Sequence, residues 1–304
     1  MTQHLLTASC IGETARQVIS QDQAGQVLGV TSRGVFLHFP TPKIIFLSYE
    51  PYQGPLTLNL GVVATQLERL SPGNAVRVNA GNLYFDVVGI RIFTGEAVIW
   101  QTPSPVNAVQ PVPEIHKQLV SIARQLLAQN RTSEISSLLP YILGFPNEST
   151  GISAESFPEQ EIQKLQQALH SRQTSQIAAR LESLSGFGGG LTPSGDDLTI
   201  GLLLTLNRWG ETLVPGIELQ ELNRLVVQSA AQKTSTLSAN LIESAANGEA
   251  DERLIDALDG IMTGFPDSKE CARLLLSWGN SSGGDTLTGI ALAVNLLDTV
   301  KDGY

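Results

Sequence analysis

Gln101-Thr-Pro-Ser-Pro-Val-Asn-Ala-Val-Gln-Pro-Val-Pro-Glu114 divides the chain. Pro103, Pro105, Pro111 and Pro113 fix φ and remove backbone donors. Such a segment neither continues a helix nor sits in a central strand, and it reads as an extended spacer. The residues on its two sides follow different periods. Upstream, short runs rich in β-branched and aromatic residues recur at Gln26–Val30, Gly34–Phe39, Lys43–Tyr49, Leu56–Leu60, Ala75–Asn79, Asn82–Ile90 and Ala97–Trp100. Gly, Pro and Asn punctuate them, as in Ser71-Pro-Gly-Asn74. Many short strands separated by turn residues predict a small barrel or sandwich, preceded by one short helix over Glu13–Ser20.

Downstream the apolar residues recur at helical spacing. Ile115, Leu119, Ile122 and Leu126 begin the pattern; Ile135, Leu138, Leu139 and Ile142 follow, then Ile162, Leu165 and Leu169, then Ile177, Leu181 and Leu184. Leu202–Trp209, Leu219–Ser229, Leu237–Ala246, Asp251–Met262, Lys269–Trp278 and Ile290–Leu297 complete it. The sequence therefore predicts an α+β protein. Residues 1–105 form a β-rich domain, 106–114 a Pro-rich linker, and 115–304 a larger all-helical domain with Gly-rich turns.

Composition narrows the function. The chain has 304 residues, 42% of them hydrophobic, with a mean hydropathy of +0.05, so it can bury a core. A formal charge of −10 and a pI near 4.9 argue against nucleic acid or an anionic membrane as partner, since both demand a basic surface. They leave room for a small anion, which needs only local donors. No basic region followed by an apolar run opens the chain, and no apolar stretch is long enough to span a bilayer. Two cysteines, Cys10 and Cys271, make no disulfide framework, and a cytoplasmic location is expected.

Two segments of the helical half resemble each other. Gly186-Phe-Gly-Gly-Gly-Leu-Thr-Pro-Ser-Gly-Asp-Asp197 is echoed by Gly279-Asn-Ser-Ser-Gly-Gly-Asp-Thr-Leu-Thr-Gly289. Aligned on the serines they share Ser-Gly-x-Asp-x-x-x-Gly: Ser194, Gly195, Asp197 and Gly201 against Ser282, Gly283, Asp285 and Gly289. The plain reading is a pair of helix caps, because Ser-x-x-Asp before an apolar run has capping-box spacing. Three features go beyond it. Gly186, Gly188, Gly189 and Gly190 are more glycine than a cap needs, and a Gly-rich turn feeding a helix N-terminus aims free amides at one spot, an anion-binding arrangement. Gly201 and Gly289 share a helix face with Asp197 and Asp285, which suits either close helix packing or room for a ligand. Asp196 and Asp197, with Asp285 nearby, would make a three-carboxylate cluster suited to Mg²⁺ or to proton transfer.

Thr192 and Ser194 add hydroxyls beside this turn. Lys233-Thr-Ser-Thr-Leu-Ser238 is a secondary candidate: Ser235 caps the next helix or walls the pocket, and Lys233 is a cation able to neutralise an anionic substrate. Arg208 and Arg273 read as solvent-facing. His4, His38, His116 and His170 lie outside both motifs, so a Ser-His-Asp triad has little support.

These residues resemble a known family. Gly186–Asp197 is similar to the hallmark of the AllH-type subunit of oxamate carbamoyltransferase, Ser281–Gly289 to its second motif, and Thr234–Gly248 to its Thr-Ser-x-x-Ser helix. The β-rich region followed by a helical region agrees with it. The resemblance implies a role in purine and allantoin nitrogen catabolism, moving a carbamoyl group between oxalurate and phosphate to give oxamate and carbamoyl phosphate. It also implies work alongside other subunits, one of them acyl-CoA-synthetase-like. On this reading Asp197 and Asp285, with Asp196, orient the carbamoyl nitrogen or the amide. Gly188, Gly189, Gly190, Thr192, Ser194, Gly195, Ser282, Gly283, Lys233 and Ser235 hold phosphate or carboxylate. Two further readings stand beside it: a binding or regulatory subunit with the same pocket and no turnover, and a structural partner whose motifs only cap and pack helices.

Overall fold

The computed structural model describes residues 4–61, 65–106, 108–145, 156–213 and 216–297. The chain divides into two compact units, Met1–Pro103 and Ser104–Tyr304.

The first unit is one curled sheet. Its strands are β1 (His4–Thr7), β2 (Cys10–Gly12), β3 (Gln23–Thr31), β4 (Gly34–Phe39), β5 (Lys43–Ser48), β6 (Thr57–Asn59), β7 (Ala75–Asn79), β8 (Asn82–Phe85), β9 (Ile90–Phe93) and β10 (Val98–Trp100), with helix α1 (Glu13–Ile19) after β2. The order across the sheet is β1-β9-β8-β7-β3-β4-β5-β6-β2-β10. Only Ala8 and Ser9 separate β1 from β2, yet the two strands stand toward opposite ends of that order. The link from β9 to β10, Thr94–Ala97, makes the same jump. Two short links can join distant strands only if the sheet curls until its ends meet. Ala8 N donates to Phe93 O and Ser9 N to Asn59 O, both at 2.8 Å, at that meeting point. Side chains alternate in and out along each strand, as β7 shows most plainly. The inward set, including Leu37, Phe39, Leu47, Leu58, Val78 and Phe85, fills the curl, and Ala15 and Ile19 of α1 pack against it.

Two elements differ from expectation. The run Asn82–Ile90 is not one strand, because Asp86–Gly89 turns between β8 and β9, with Gly89 at φ +68°. The short strands β1 and β2 carry no alternating pattern long enough to read. They exist because β9 and β10 offer them parallel partners.

In the second unit the described helices are α2 (Val112–Leu127), α3 (Leu139–Ile142), α4 (Phe157–His170), α5 (Thr174–Leu184), α6 (Ser194–Leu213), α7 (Leu219–Lys233), α8 (Thr236–Ala246), α9 (Glu252–Thr263), α10 (Ser268–Trp278) and α11 (Ser282–Val294). Helix α2 already begins at Val112, two residues before the expected end of the spacer. Pro111 is its N-cap and Pro113 lies in its first turn, where a missing N–H costs nothing. Helices α6 and α11 are the central pair. Gly283 and every residue from Asp285 to Val294 are buried, as are Ser194 to Leu206, so neither helix has the polar stripe of a surface helix.

Their crossing is built on glycine. A Cβ on Gly201 would lie 2.0 Å from the Thr286 carbonyl oxygen, and one on Gly289 2.0 Å from the Leu198 oxygen. In the motif alignment Leu198 corresponds to Thr286, so the two contacts are one contact repeated with the helices exchanged. The relation continues at the next layer. A Cβ on Gly195 would lie 1.9 Å from the Leu184 oxygen of α5, and one on Gly283 2.0 Å from the Leu275 oxygen of α10. Each motif helix is thus clamped between its predecessor and its counterpart, under an approximate two-fold relation.

Candidate functional site

The same relation brings the two motifs together at the N-termini of α6 and α11. Thr192 Oγ1 lies 3.3 Å from Ser282 Oγ and donates to Asp197 Oδ2 at 3.1 Å. Ser282 faces the Asp197 carboxyl, and Ser194 faces the carboxyl of Asp285. Each serine therefore serves the aspartate of the other motif.

This arrangement replaces the expected capping boxes. Asp197 N bonds Pro193 O at 3.1 Å, and Asp285 N bonds Ser281 O at 3.1 Å. The helices accordingly start one residue earlier than the motif spacing suggests. Ser194 and Ser282 are first helical residues, and no side chain caps α11. A hydroxyl at that position points away from its own helix amides and is available to the partner motif.

Asp197 and Asp285 are both 0% exposed. Each has one oxygen supplied with protein donors and one without. Asp285 Oδ1 accepts from the Ser133 hydroxyl and from Ser136 N at 3.1 Å. Asp197 Oδ1 and Asp285 Oδ2 have no hydrogen-bond partner among the described residues. Burial, and then the facing Asp285, push the Asp197 carboxyl well above the usual carboxylate range, against the pull of the Ser282 and Thr192 hydroxyls. Burial likewise raises Asp285, opposed by Ser133, Ser194 and Ser136. Two unit charges about 4 Å apart repel by roughly 4 kcal/mol at an effective dielectric of about 20, so a buried like-charged pair calls for a counter-charge or a ligand.

Asp196 does not join this pair. Its Oδ1 accepts from Gly186 N at 3.0 Å and its Oδ2 from the Thr234 hydroxyl. The three-carboxylate cluster is therefore a pair, and no group of three acid, His or Cys side chains placed to hold a metal occurs among the described residues. The physical reason is helical: neighbouring residues point about 100° apart, so only one of two adjacent acids can face α11. Asp196 instead ties the Gly-rich loop to the start of α8.

That loop is exposed from Gly188 to Leu191. Gly188 has φ +98° and sits over Ser194, where a Cβ would meet Ser194 N and Oγ at 2.9 Å. The amides of Gly188, Gly189 and Gly190 donate to no backbone carbonyl among the described residues. Gly195 N, by contrast, donates to Phe187 O at 2.9 Å, so Gly195 and Gly283 stand as close-packing residues. Ser235 caps α8, accepting from Ser238 N, and its hydroxyl reaches Leu191 O at 3.4 Å. Lys233 turns outward to pair with Glu182 at 2.5 Å. Arg208 is buried rather than solvent-facing: it holds Asp259 with two bonds of 2.6 Å.

Ser133 and Ser136 were not expected. Ser133 also accepts from the amides of Ile135 and Ser136, a local turn that presents its hydroxyl to Asp285. The run Thr132-Ser-Glu-Ile-Ser-Ser137, rich in hydroxyl residues, is the only sequence signal for it. Beside it Arg131, Thr132, Ser136, Asn280, Gly283 and Gly284 line a narrow cleft at the N-terminus of α11.

No helix among the described residues is long and apolar enough to cross a membrane. No solved structure matches the chain. A family model does match residues 184–294, from the last residue of α5 to the last of α11, and so covers both motifs and the α8 segment. The family it describes, oxamate carbamoyltransferase subunit AllH, is the one the motifs resemble.

Proposed function

We propose that this chain is a subunit of a carbamoyltransferase for small anionic amides, and that the paired motifs form its reaction site. The reaction we assign is oxalurate plus phosphate giving oxamate plus carbamoyl phosphate, in purine or allantoin nitrogen catabolism. An oxygen of monohydrogen phosphate forms a bond to the carbamoyl carbon. The carbon–nitrogen bond breaks, and the phosphate's proton passes to the departing nitrogen, which leaves as the amide of oxamate.

The observation that carries this reading is the pair of buried carboxyl oxygens, one from each motif, without protein partners. A purely structural motif has no use for them, since an unpaired buried polar group is a cost. Around the pair stand groups suited to an anion: the convergent N-termini of α6 and α11, the amides of Gly188–Gly190, and the hydroxyls of Thr192, Ser194 and Ser282. Arg131 at the neighbouring cleft suits the oxalurate carboxylate. Gly195, Gly283, Asp196 and Ser235 hold these groups in place. Other subunits, including an acyl-CoA-synthetase-like one, complete the enzyme. A non-catalytic anion-binding subunit is the second reading, favoured by the exposure of the Gly-rich loop, which a partner must cover to exclude water.

Thermal shifts of the purified chain with phosphate, carbamoyl phosphate, oxamate and oxalurate test the assignment. A ligand at about 100 times its Kd adds about 2.7 kcal/mol of stability. We expect a shift in the wild type and none in Asp197→Asn. The variant alone should melt no lower than the wild type, because it removes one acid from a pair of facing, buried carboxyls that cannot both ionise at low cost. With partner subunits added, Asp197→Asn should lose roughly 100-fold or more in kcat. Wild-type ligand response in Asp197→Asn would sink the assignment of Asp197.

A further inference from the structure

We propose that the Asp197–Asp285 pair is a binding site for one hard divalent cation of the Mg²⁺ or Mn²⁺ class, held between Asp197 Oδ1 and Asp285 Oδ2. Both atoms are fully buried and without a hydrogen-bond partner. They are not loose ends of mobile side chains. Thr192 fixes the other oxygen of Asp197, and Ser133 with Ser136 fixes that of Asp285, so the orphaned oxygens have set directions.

A shared proton is the obvious alternative, as two facing acids can hold one between them. Here Asp285 acts on Asp197 across space, and no hydrogen bond joins the two carboxyls. The surrounding donors are carboxylate and hydroxyl oxygens: Thr192, Ser194, Ser282 and Ser133. An all-oxygen set selects a hard cation over Zn²⁺ or Cu²⁺. Two carboxylates rather than three or four match Mg²⁺, which commonly keeps waters or substrate phosphate in its other positions. Asp196 lies outside the site, its oxygens committed to Gly186 and Thr234.

The cation site rests on these atoms alone. Only what the remaining coordination positions take, a phosphate or carbamoyl oxygen, rests on the carbamoyl-transfer reading. With the cation in place, a doubly acidic pocket becomes one that accepts an anion.

The test is a titration of the chelator-treated full chain with Mn²⁺, with free Mn²⁺ read from its electron paramagnetic resonance signal. We expect about one Mn²⁺ bound per chain. Binding should weaken by roughly tenfold or more in Asp197→Asn and in Asp285→Asn. It should persist in Glu270→Gln, a surface acid paired with Arg273. Circular dichroism of each variant separates lost binding from lost fold. A wild-type chain that retains no Mn²⁺, or two folded Asn variants that bind as the wild type does, overturns the proposal. Mn²⁺ binding without any response to phosphate, oxalurate, oxamate or carbamoyl phosphate keeps the cation site and sinks the carbamoyl reading. Response to those ligands without Mn²⁺ binding does the reverse.

Discussion

Asp196 and Asp197 adjoin in sequence, yet one ties a loop to a helix and the other faces its counterpart across a helix pair. The sequence marks both as acids at a helix start and cannot separate them, since the choice depends on which face α11 covers. The serines show the same limit. Ser-x-x-Asp spacing is shared by a capping box and by a first-turn serine that serves another helix. A shift of one residue in the helix start decides between them. Elsewhere single residues behave as their neighbours dictate. Burial works to raise the carboxyl of Glu161, but Lys164 at 2.7 Å and Arg180 at 3.2 Å outweigh it and hold the group below its usual range. A carboxyl with a lowered folded pKa adds stability that is present above its unfolded value and lost as pH falls through the folded one. Arg180→Gln should therefore cost about 1 kcal/mol at neutral pH, discounted for the partial exposure of Arg180. The deficit in Tm should shrink once the pH drops below the usual carboxylate range. A deficit that stays constant into acid would mean that Arg180 acts through packing alone.

Among the elements, the long periodic ones were legible and the short ones were not. Helices from α2 to α11 follow apolar residues at helical spacing. The strands β1 and β2 depend on partners about 85 residues away, which no local pattern encodes. Gly201 and Gly289 left packing and ligand space open as alternatives, and the crossing of α6 and α11 settles on packing. Each glycine faces a backbone carbonyl, which cannot swing aside as a side chain can. Alanine gains about 1 kcal/mol in helix propensity. Here it must force the helices apart, and overpacking of that kind costs roughly 1–3 kcal/mol or more. Gly201→Ala and Gly289→Ala should each lower the denaturant midpoint, and the double variant should lose less than the sum, because the first substitution already opens the gap. Gly189→Ala, with no atom within 4 Å of its Cβ, should leave stability unchanged. The two crossing variants should also weaken Mn²⁺ binding, because spreading the helices separates Asp197 from Asp285. Full additivity would show that the two contacts are independent and that the two-fold relation has no mechanical meaning.

For the whole molecule, the change of hydrophobic period on either side of the Pro-rich run at 101–114 reads its architecture. Charge and composition narrow the partners without naming one. The convergence of the two motifs was not legible, because similar segments about ninety residues apart can lie anywhere in a fold. It follows instead from α6 and α11 being the buried centre of the second unit. Every side chain assigned to the site, from Arg131 to Asp285, belongs to that unit, which spans Ser104–Tyr304. Its core rests on α6 and α11 wrapped by the helices packed on them, so it has an interior of its own. A fragment beginning at Ser104 should therefore unfold cooperatively in urea and bind Mn²⁺ within roughly threefold of the full chain, since a rigid site built inside one unit needs nothing from outside it. Circular dichroism and the same Mn²⁺ titration decide it. A folded fragment that no longer binds Mn²⁺ would show that the first unit orders the site. Transfer activity should still demand the partner subunits, because the Gly188–Leu191 loop is open to solvent and transfer chemistry requires water to be kept out.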